Sequence, residues 1–328
     1  MNFKFLHLVI SVFLVFPVSS EEIFFNNHNI HGEDSTFKDF IKWQLSGNKP
    51  DRFSIEMSDE FNLLLKKPKT PYAVWVGHSN FLINNNDINI LTDPIFSKRA
   101  SPISFAGPKR LIPPGINFNL LPDIDVVTVS HAHYDHMDIP TLKRLYEINE
   151  NTLFLVPMNS AKLLLLAGIK NVVEMNWWDT ISLRDTLITF VPVHHWSSRT
   201  PFDKNETLWG GWWFEHSSLK LVHLGDTGYT YDFLTINKEL GSPDFAFIPI
   251  GAYEPRSIMK DSHLNPDEAI QTALDLNATH AIGMHWGTFM LTDEPVQEPP
   301  VLVKNRLKEL DLEGLFTIPI PGKIISLE

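Results

Sequence analysis

Residues 129–138 read VSHAHYDHMD, placing three histidines and two aspartates in ten positions. The apolar run IDVVTV (124–129) leads into this string and IPTLKRLYEIN (139–149) follows it. The string therefore lies between an expected buried strand and an expected helix. His131 and His133, two apart, face the same way in extended chain. Asp135 and His136 are adjacent and converge only if the chain turns into the next helix. That spacing predicts two metal positions, one on the His-x-His pair and one on the Asp-His pair. The chain has no cysteine, so any metal is held by nitrogen and oxygen, and a disulfide framework is excluded. Two ions about 3.5–4 Å apart can share a hydroxide and clamp a phosphoryl or acyl oxygen.

Further candidates lie wherever an expected strand stops. His195 follows TFVPV, Asp226 follows LVHLG and His285 follows AIGM. Strand ends are where α/β folds present their chemistry. A carboxylate bridging two ions suits Asp226, and Asp93 and Asp138 are candidates to orient ligand imidazoles. His194 and His223 are read as packing residues, and His7 and His28 as structural ones.

Strands and helices alternate along the chain. YAVWVGHSNFLI (72–83) and INILTDPIF (88–96) read as two strands around the turn NNND. LFLVP, LITFVPV, LWGGWWFEH, LKLVHLGD, DFAFIPIGAY and HAIGMHWG read as further strands. NSAKLLLLAGI is a helix stopped by Gly168. NPDEAIQTALDL opens with a full start signal: Asn265 as N-cap, Pro266 next and Glu268 at the capping-box position. No repeat or low-complexity linker divides this pattern, which predicts one α/β domain of two sheets.

Residues 1–20 have the form of a secretory signal peptide, with Lys4, a short apolar run and small residues before Glu21. Export to the periplasm or exterior, after cleavage near Ser20, is expected. The apolar run is shorter than the roughly 20 residues a membrane span needs, so no transmembrane helix is expected in the mature chain. Residues 21–70 form a segment expected to pack on the main domain, with an amphipathic helix in FKDFIKWQL (37–45). Residues 71–328 are expected to form the main domain, which carries the candidate site and would be the catalytic one. A net charge of −12 without a basic run speaks against nucleic-acid binding.

WVGHSNFLI, LTDPIFSKRASPISFAGPKR, SHAHYDHMD, HWSSRT, LWGGWWFE, GDTGY, FIPIGAYEPR, HLNPDEAI and MHWGTF together resemble the metallo-β-lactamase fold superfamily, and within it the N-acyl-phosphatidylethanolamine-hydrolysing phospholipase D family. The resemblance spans roughly residues 25 to 315, and GAYEPR and HWGTF are more specific than the histidine string. It implies a four-layer αββα sandwich. It also implies two zinc ions, other divalent metals being allowed. His131, His133 and His195 would hold one ion and Asp135, His136 and His285 the other, with Asp226 bridging. Tyr134 and His263 match positions beside the substrate phosphate. The implied reaction is attack of a metal-bridging hydroxide on the phosphodiester, with Asp135, Asp226 and His263 as catalytic residues. The products are N-acylethanolamine and phosphatidic acid. A phospholipid substrate, contact with a membrane surface and a homodimer are the partners the resemblance allows.

A lactonase or other acyl-ester hydrolase of the same fold is the alternative, and a non-catalytic lipid-binding protein a second. A lipid phosphodiesterase needs a wide apolar groove, and the tryptophans of NWWD (176–179) and GGWWF (210–214) favour such a groove.

Overall fold

The structure is a computed structural model that describes residues 24–28, 54–64, 66–217 and 219–328. The expected signal peptide and the expected helix at 37–45 lie outside the described residues. After a one-turn helix, α1 (Glu60–Leu63), the chain lays down β1 (Tyr72–Gly77), β2 (Asn80–Asn84) and β3 (Asn89–Thr92) as an antiparallel meander. Then β4 (Val126–Thr128), α2 (Ile139–Ile148), β5 (Leu153–Pro157), α3 (Ala161–Leu166) and β6 (Val172–Met175) extend the sheet in parallel.

The second sheet starts with β7 (Thr180–Leu183), β8 (Thr186–Val191), β9 (Gly211–His216) and β10 (Leu219–His223), all antiparallel. It continues through α4 (Asp232–Leu240), β11 (Phe245–Pro249), α5 (Arg256–Met259), α6 (Pro266–Asp275), β12 (His280–Met284), α7 (Glu298–Glu309) and β13 (Phe316–Thr317). Here β10 to β13 are parallel. The last strand, β14 (Ile324–Ser326), returns to pair with β1, so each sheet has seven strands.

Alternation along the strands sets the layers. Ala73 and Trp75 of β1 belong to the core between the sheets, whereas Tyr72, Val74 and Val76 join Leu142, Leu145 and Leu164 of α2 and α3. On the other side Phe233, Ile236, Ala269, Ile270, Val303 and Leu307 bring α4, α6 and α7 onto the second sheet. Because both faces of each sheet are covered, strands such as LFLVP read as unbroken apolar runs. The result is the αββα sandwich expected from the sequence. Phe81 meets Phe247 across the inter-sheet layer, ring centroids 4.7 Å apart.

Two expectations need correction. The stretch YAVWVGHSNFLI is not one strand: it reverses between β1 and β2 at Gly77 and His78, whose φ angles are +127° and +60°. A side chain at Gly77 would put its Cβ 3.0 Å from Thr288 Oγ1, so glycine is required by both backbone and space. The tryptophans of GGWWF, moreover, do not wall a groove. Trp212 is buried between the sheets, where its Nε1 donates to Val129 O at 3.1 Å, and Trp213, next along β9, is buried on the opposite face of the second sheet. A flat indole with one polar tip suits a strand core that offers a carbonyl.

Candidate metal centre

Parallel strands of both sheets end along one edge of the sandwich. There β3 delivers Asp93, β4 delivers His131, β10 delivers Asp226 and β12 delivers His285. His195 follows β8 on the same edge, its Nε2 3.9 Å from Asp226 Oδ2. Close approach of the two sheets depends on Gly225: a Cβ there would lie 2.5 Å from Ser130 Cβ. With hydrogen instead, Asp226 can sit against the histidine string.

Two clusters share Asp226. In the first, His131 Nε2 lies 2.7 Å from His133 Nδ1, and His195 Nε2 lies 3.4 Å from the same atom. In the second, His136 Nε2 is 3.5 Å and His285 Nε2 3.8 Å from Asp135 Oδ2. Asp226 reaches both, with Oδ2 3.1 Å from His136 Nε2 and 4.0 Å from His131 Nε2, and Oδ1 3.0 Å from His285 Nε2. Residues 131–136 run as turns rather than extended chain, which is what brings Asp135 and His136 round to the second cluster.

The outer nitrogens are committed to other partners. His136 Nδ1 donates to Asp93 Oδ2 at 2.8 Å, and His195 Nδ1 donates to Ser262 O at 2.9 Å. His131 Nδ1 is 2.9 Å from Ser130 Oγ, which in turn donates to Asp93 Oδ2 at 2.7 Å. Fixing the proton on Nδ1 leaves the Nε2 lone pairs pointing inward. His136 Nε2, His285 Nε2, His263 Nδ1 and Asp226 Oδ1 are buried and make no well-aligned hydrogen bond, although Asp226 lies 3.0–3.1 Å from the first two. Buried polar groups are ordinarily satisfied. Unpaired nitrogens and carboxylate oxygens converging within one site are the donor set a divalent cation takes. The side chains therefore fit a metal, in the groups His131–His133–His195 and His78–Asp135–His136–His285, with Asp226 adjoining both.

Electrostatics divide the histidines. Burial, reinforced by neighbouring imidazoles, holds His131 and His195 well below the ordinary histidine range. His133 is lowered to about 4 mainly by burial. Burial also opposes charging of His136 and His285, but the Asp226 and Asp135 carboxylates outweigh it. His136 is raised well above its usual value and His285 to about 9. Burial disfavours ionising Asp135 and Asp226, yet the adjacent His136 and its neighbours keep both carboxyls well below the usual range. Burial thus favours neutral imidazoles in the first cluster, whereas in the second the ionised carboxylates favour charge on His136 and His285.

The β-lactamase superfamily domain matches residues 88–286 of this chain. The chain belongs to that superfamily. It is 39% identical over 250 residues to N-acyl-phosphatidylethanolamine-hydrolyzing phospholipase D 1 of Caenorhabditis elegans, covering 73% of this chain and 69% of that protein. It is also 34% identical over 252 residues to the mitochondrial N-acyl-phosphatidylethanolamine-hydrolyzing phospholipase D of Saccharomyces cerevisiae, covering 75% of this chain and 53% of that one. Among solved structures, a possible metal-dependent hydrolase from Veillonella parvula shares the fold, with TM-score 0.62 and 16% identity. It covers 79% of this chain and 100% of its own.

In this superfamily member all seven ligands expected from the sequence lie in the two clusters. His263 stands beside them, its Nδ1 4.0 Å from Asp226 Oδ2. Its backbone is fixed by Arg256, whose Nη1 donates to His263 O at 2.8 Å while Nη2 grips both oxygens of Glu268. Glu268 closes the capping box with Asn265, as the sequence predicts. Tyr134 is directed elsewhere. Its hydroxyl donates to Arg199 O at 2.9 Å, and the Arg199 guanidinium sits 4.0 Å over its ring.

Asp138 orients no imidazole. Its carboxylate accepts from Ser97 Oγ at 2.9 Å and from Thr141 Oγ1 at 2.5 Å, because the start of α2 turns it toward those hydroxyls. His223 is a packing residue, donating to Ser79 O at 2.8 Å.

Two residues escaped the sequence reading. His78 Nε2 donates to Asp135 Oδ2 at 2.9 Å, and the ring is fully buried beside His285. The signal that it follows a strand end was present but hidden inside what looked like one long strand. Asn27, far upstream, donates from Nδ2 to His195 O at 3.0 Å and accepts from His195 N at 3.1 Å. It also accepts from Trp209 Nε1 at 3.0 Å. No local pattern marks it.

Proposed function

We propose that the protein is a metal-dependent hydrolase acting as a phosphodiesterase of phospholipase D type on N-acyl-phosphatidylethanolamine or a closely related phospholipid. The observation that carries this reading is the sharing of Asp226 between two ligand clusters in a chain 39% identical to a phospholipase of that name. His131, His133 and His195 would hold one ion, and Asp135, His136 and His285 the other. Bound divalent ions supply Lewis-acid polarisation of a phosphoryl oxygen and a nucleophile generated from water at neutral pH.

The remaining chemistry belongs to the chain. Asp135 and Asp226 stay ionised, so both carboxylates are available to a cation. His263, lowered to about 4 chiefly by burial, is neutral at physiological pH. It offers a ring N–H as a hydrogen-bond donor to a phosphoryl oxygen without adding charge. Asp93 and Ser262 O hold the imidazoles so that little reorganisation is needed during the reaction. Water adds to phosphorus and the phosphorus–oxygen bond on the head-group side breaks, giving N-acylethanolamine and phosphatidic acid. Export by the N-terminal peptide would place this reaction outside the cytoplasm.

The test is an assay of the purified protein on N-acyl-phosphatidylethanolamine in mixed micelles, following both products by mass spectrometry. Activity should vanish with a chelator and return with zinc. Hydrolysis of simple lactones with no phospholipid turnover would overturn the proposal in favour of an acyl-ester hydrolase.

A further inference from the structure

Of the three candidate ligands in the first cluster, His195 alone comes from outside the histidine string, and no strand carries it. β8 ends at Val191, and residues 192–200 hold only the isolated bridge between His194 and Gly228. That bridge satisfies one side of the chain. Gly228 N donates to His194 O at 2.7 Å, and His194 N donates to Thr227 Oγ1 at 3.0 Å. The N–H and C=O of His195 face the other way, as alternation along an extended chain requires. His195 is buried, so a bare backbone pair there would cost two unmet hydrogen bonds.

Asn27 meets both groups. Its Oδ1 accepts from His195 N at 3.1 Å and its Nδ2 donates to His195 O at 3.0 Å. One side-chain amide thus does what a residue of a neighbouring strand would do. Trp209 fixes which way the amide faces. An indole N–H can only donate, and Trp209 Nε1 donates to Asn27 Oδ1 at 3.0 Å, which leaves the amide nitrogen for His195 O.

The strap that carries Asn27 is pinned on both sides of it. Phe25 N donates to Asn205 O at 3.0 Å, and Asn205 N in turn donates to Ser197 O at 2.7 Å. His28 Nδ1 lies 3.2 Å from Asp232 Oδ1, and its ring packs edge-on against Trp177 with centroids 4.3 Å apart. Residues 25–28 lie upstream of the matched superfamily domain, 88–286. The second cluster takes its support elsewhere, from Asp93 and His78.

We propose that Asn27 is a positioning residue for the first metal position, and that the strap 25–28 belongs to that position although it carries no ligand. A ligand nitrogen must fall within about 0.2 Å of its proper distance from a metal. The His195 ring is tethered at Nδ1 by Ser262 O, so the backbone that Asn27 holds decides where Nε2 comes to rest. This role rests on the reading of His131, His133 and His195 as ligands, and is independent of which substrate the site takes.

The full chain is titrated with zinc against a chromogenic chelator, which resolves two binding steps. Asn27→Ala should weaken one step by about 10–100-fold and leave the other unchanged. Asn27→Asp keeps the bond from His195 N and loses the one to His195 O, so it should weaken the same step by a smaller factor. Should the alanine variant fail to fold, the aspartate variant carries the test. Asn85→Ala is the control: it removes a buried amide bonded to Thr186 Oγ1 and Ile88 N, at the ends of β2 and β3 remote from the metal edge, and should leave both steps unchanged. In the metal-free protein, hydrogen exchange at the His195 amide should quicken by about tenfold or more in Asn27→Ala, relative to the Asp93 amide bonded to Thr128 O.

Equal weakening of both steps in Asn27→Ala, or the same loss in Asn85→Ala, overturns the proposal in favour of a purely structural role. An unchanged titration in Asn27→Ala overturns it as well. Uptake of no zinc by the parent chain would overturn the ligand reading and this role with it. Absence of phospholipid hydrolysis with both steps intact, and one of them lost in Asn27→Ala, would support this role and count against the substrate reading alone.

Discussion

His78 donates from Nε2 to Asp135 Oδ2 across 2.9 Å, from a backbone in the left-handed region at φ +60°. That conformation is held on three sides. Thr288 Oγ1 accepts from His78 N, and His78 O accepts from Trp75 Nε1 at 2.8 Å and His285 N at 3.2 Å. A strained residue over-determined by its surroundings marks a functional constraint. Here the ring holds a proposed ligand in place.

Replacing His78 by alanine should therefore weaken metal binding by about 10–100-fold, the usual effect of losing a partner that orients a ligand. Competition with a chromogenic chelator measures it. An unchanged affinity would show that Asp135 needs no such support.

Among the described residues, Asp226 is the one carboxylate within 4.0 Å of imidazole nitrogens of both clusters. Asp226→Ala should lower metal content after dialysis from about two ions per chain to about one or fewer. Elemental analysis by mass spectrometry reads this directly, and full occupancy in the variant would contradict a shared role.

Loading the site should release protons. In the metal-free protein burial opposes the charge on His285, but Asp226 holds its pKa up at about 9, so near neutrality the ring is protonated. A cation must displace that proton, which makes apparent affinity rise with pH and level off above about 9. Calorimetry in buffers of different ionisation enthalpy counts the protons. A pH-independent affinity between neutrality and that value would rule the coupling out.

Asn27 makes three hydrogen bonds, two to the backbone of His195 and one from Trp209. Asn27→Ala should cost about 1–3 kcal/mol of stability, since the freed partners are partly buried. Urea unfolding with chelator present tests this; a loss under half that range would make the contact incidental.

The capping box at Asn265 gives a local control. Asn265→Ala should destabilise by about 1 kcal/mol, and because Glu268 also binds Arg256, the support of His263 should loosen with it. Thermal unfolding checks the first effect and imidazole NMR line shapes the second.

What could be read in the chain alone was whatever neighbouring residues encode. Alternating strands and helices, the Asn265 cap, the stop at Gly168 and the position of the candidate ligands at strand ends depend on backbone geometry over a few residues, and those placements match the structure. The alternation also predicted two sheets, and the resemblance supplied their four-layer αββα arrangement and the grouping of candidate ligands that lie far apart. Tertiary structure alone decided the partners. His78 reached Asp135 because a glycine folded one apolar run into two strands, and Asp138 turned to Ser97 and Thr141 instead of an imidazole. Asn27 met His195 across 168 positions. The physical reason is that side-chain spacing fixes direction within an element. Which groups come within 3 Å is set by how two sheets and their loops approach, and no local pattern records that.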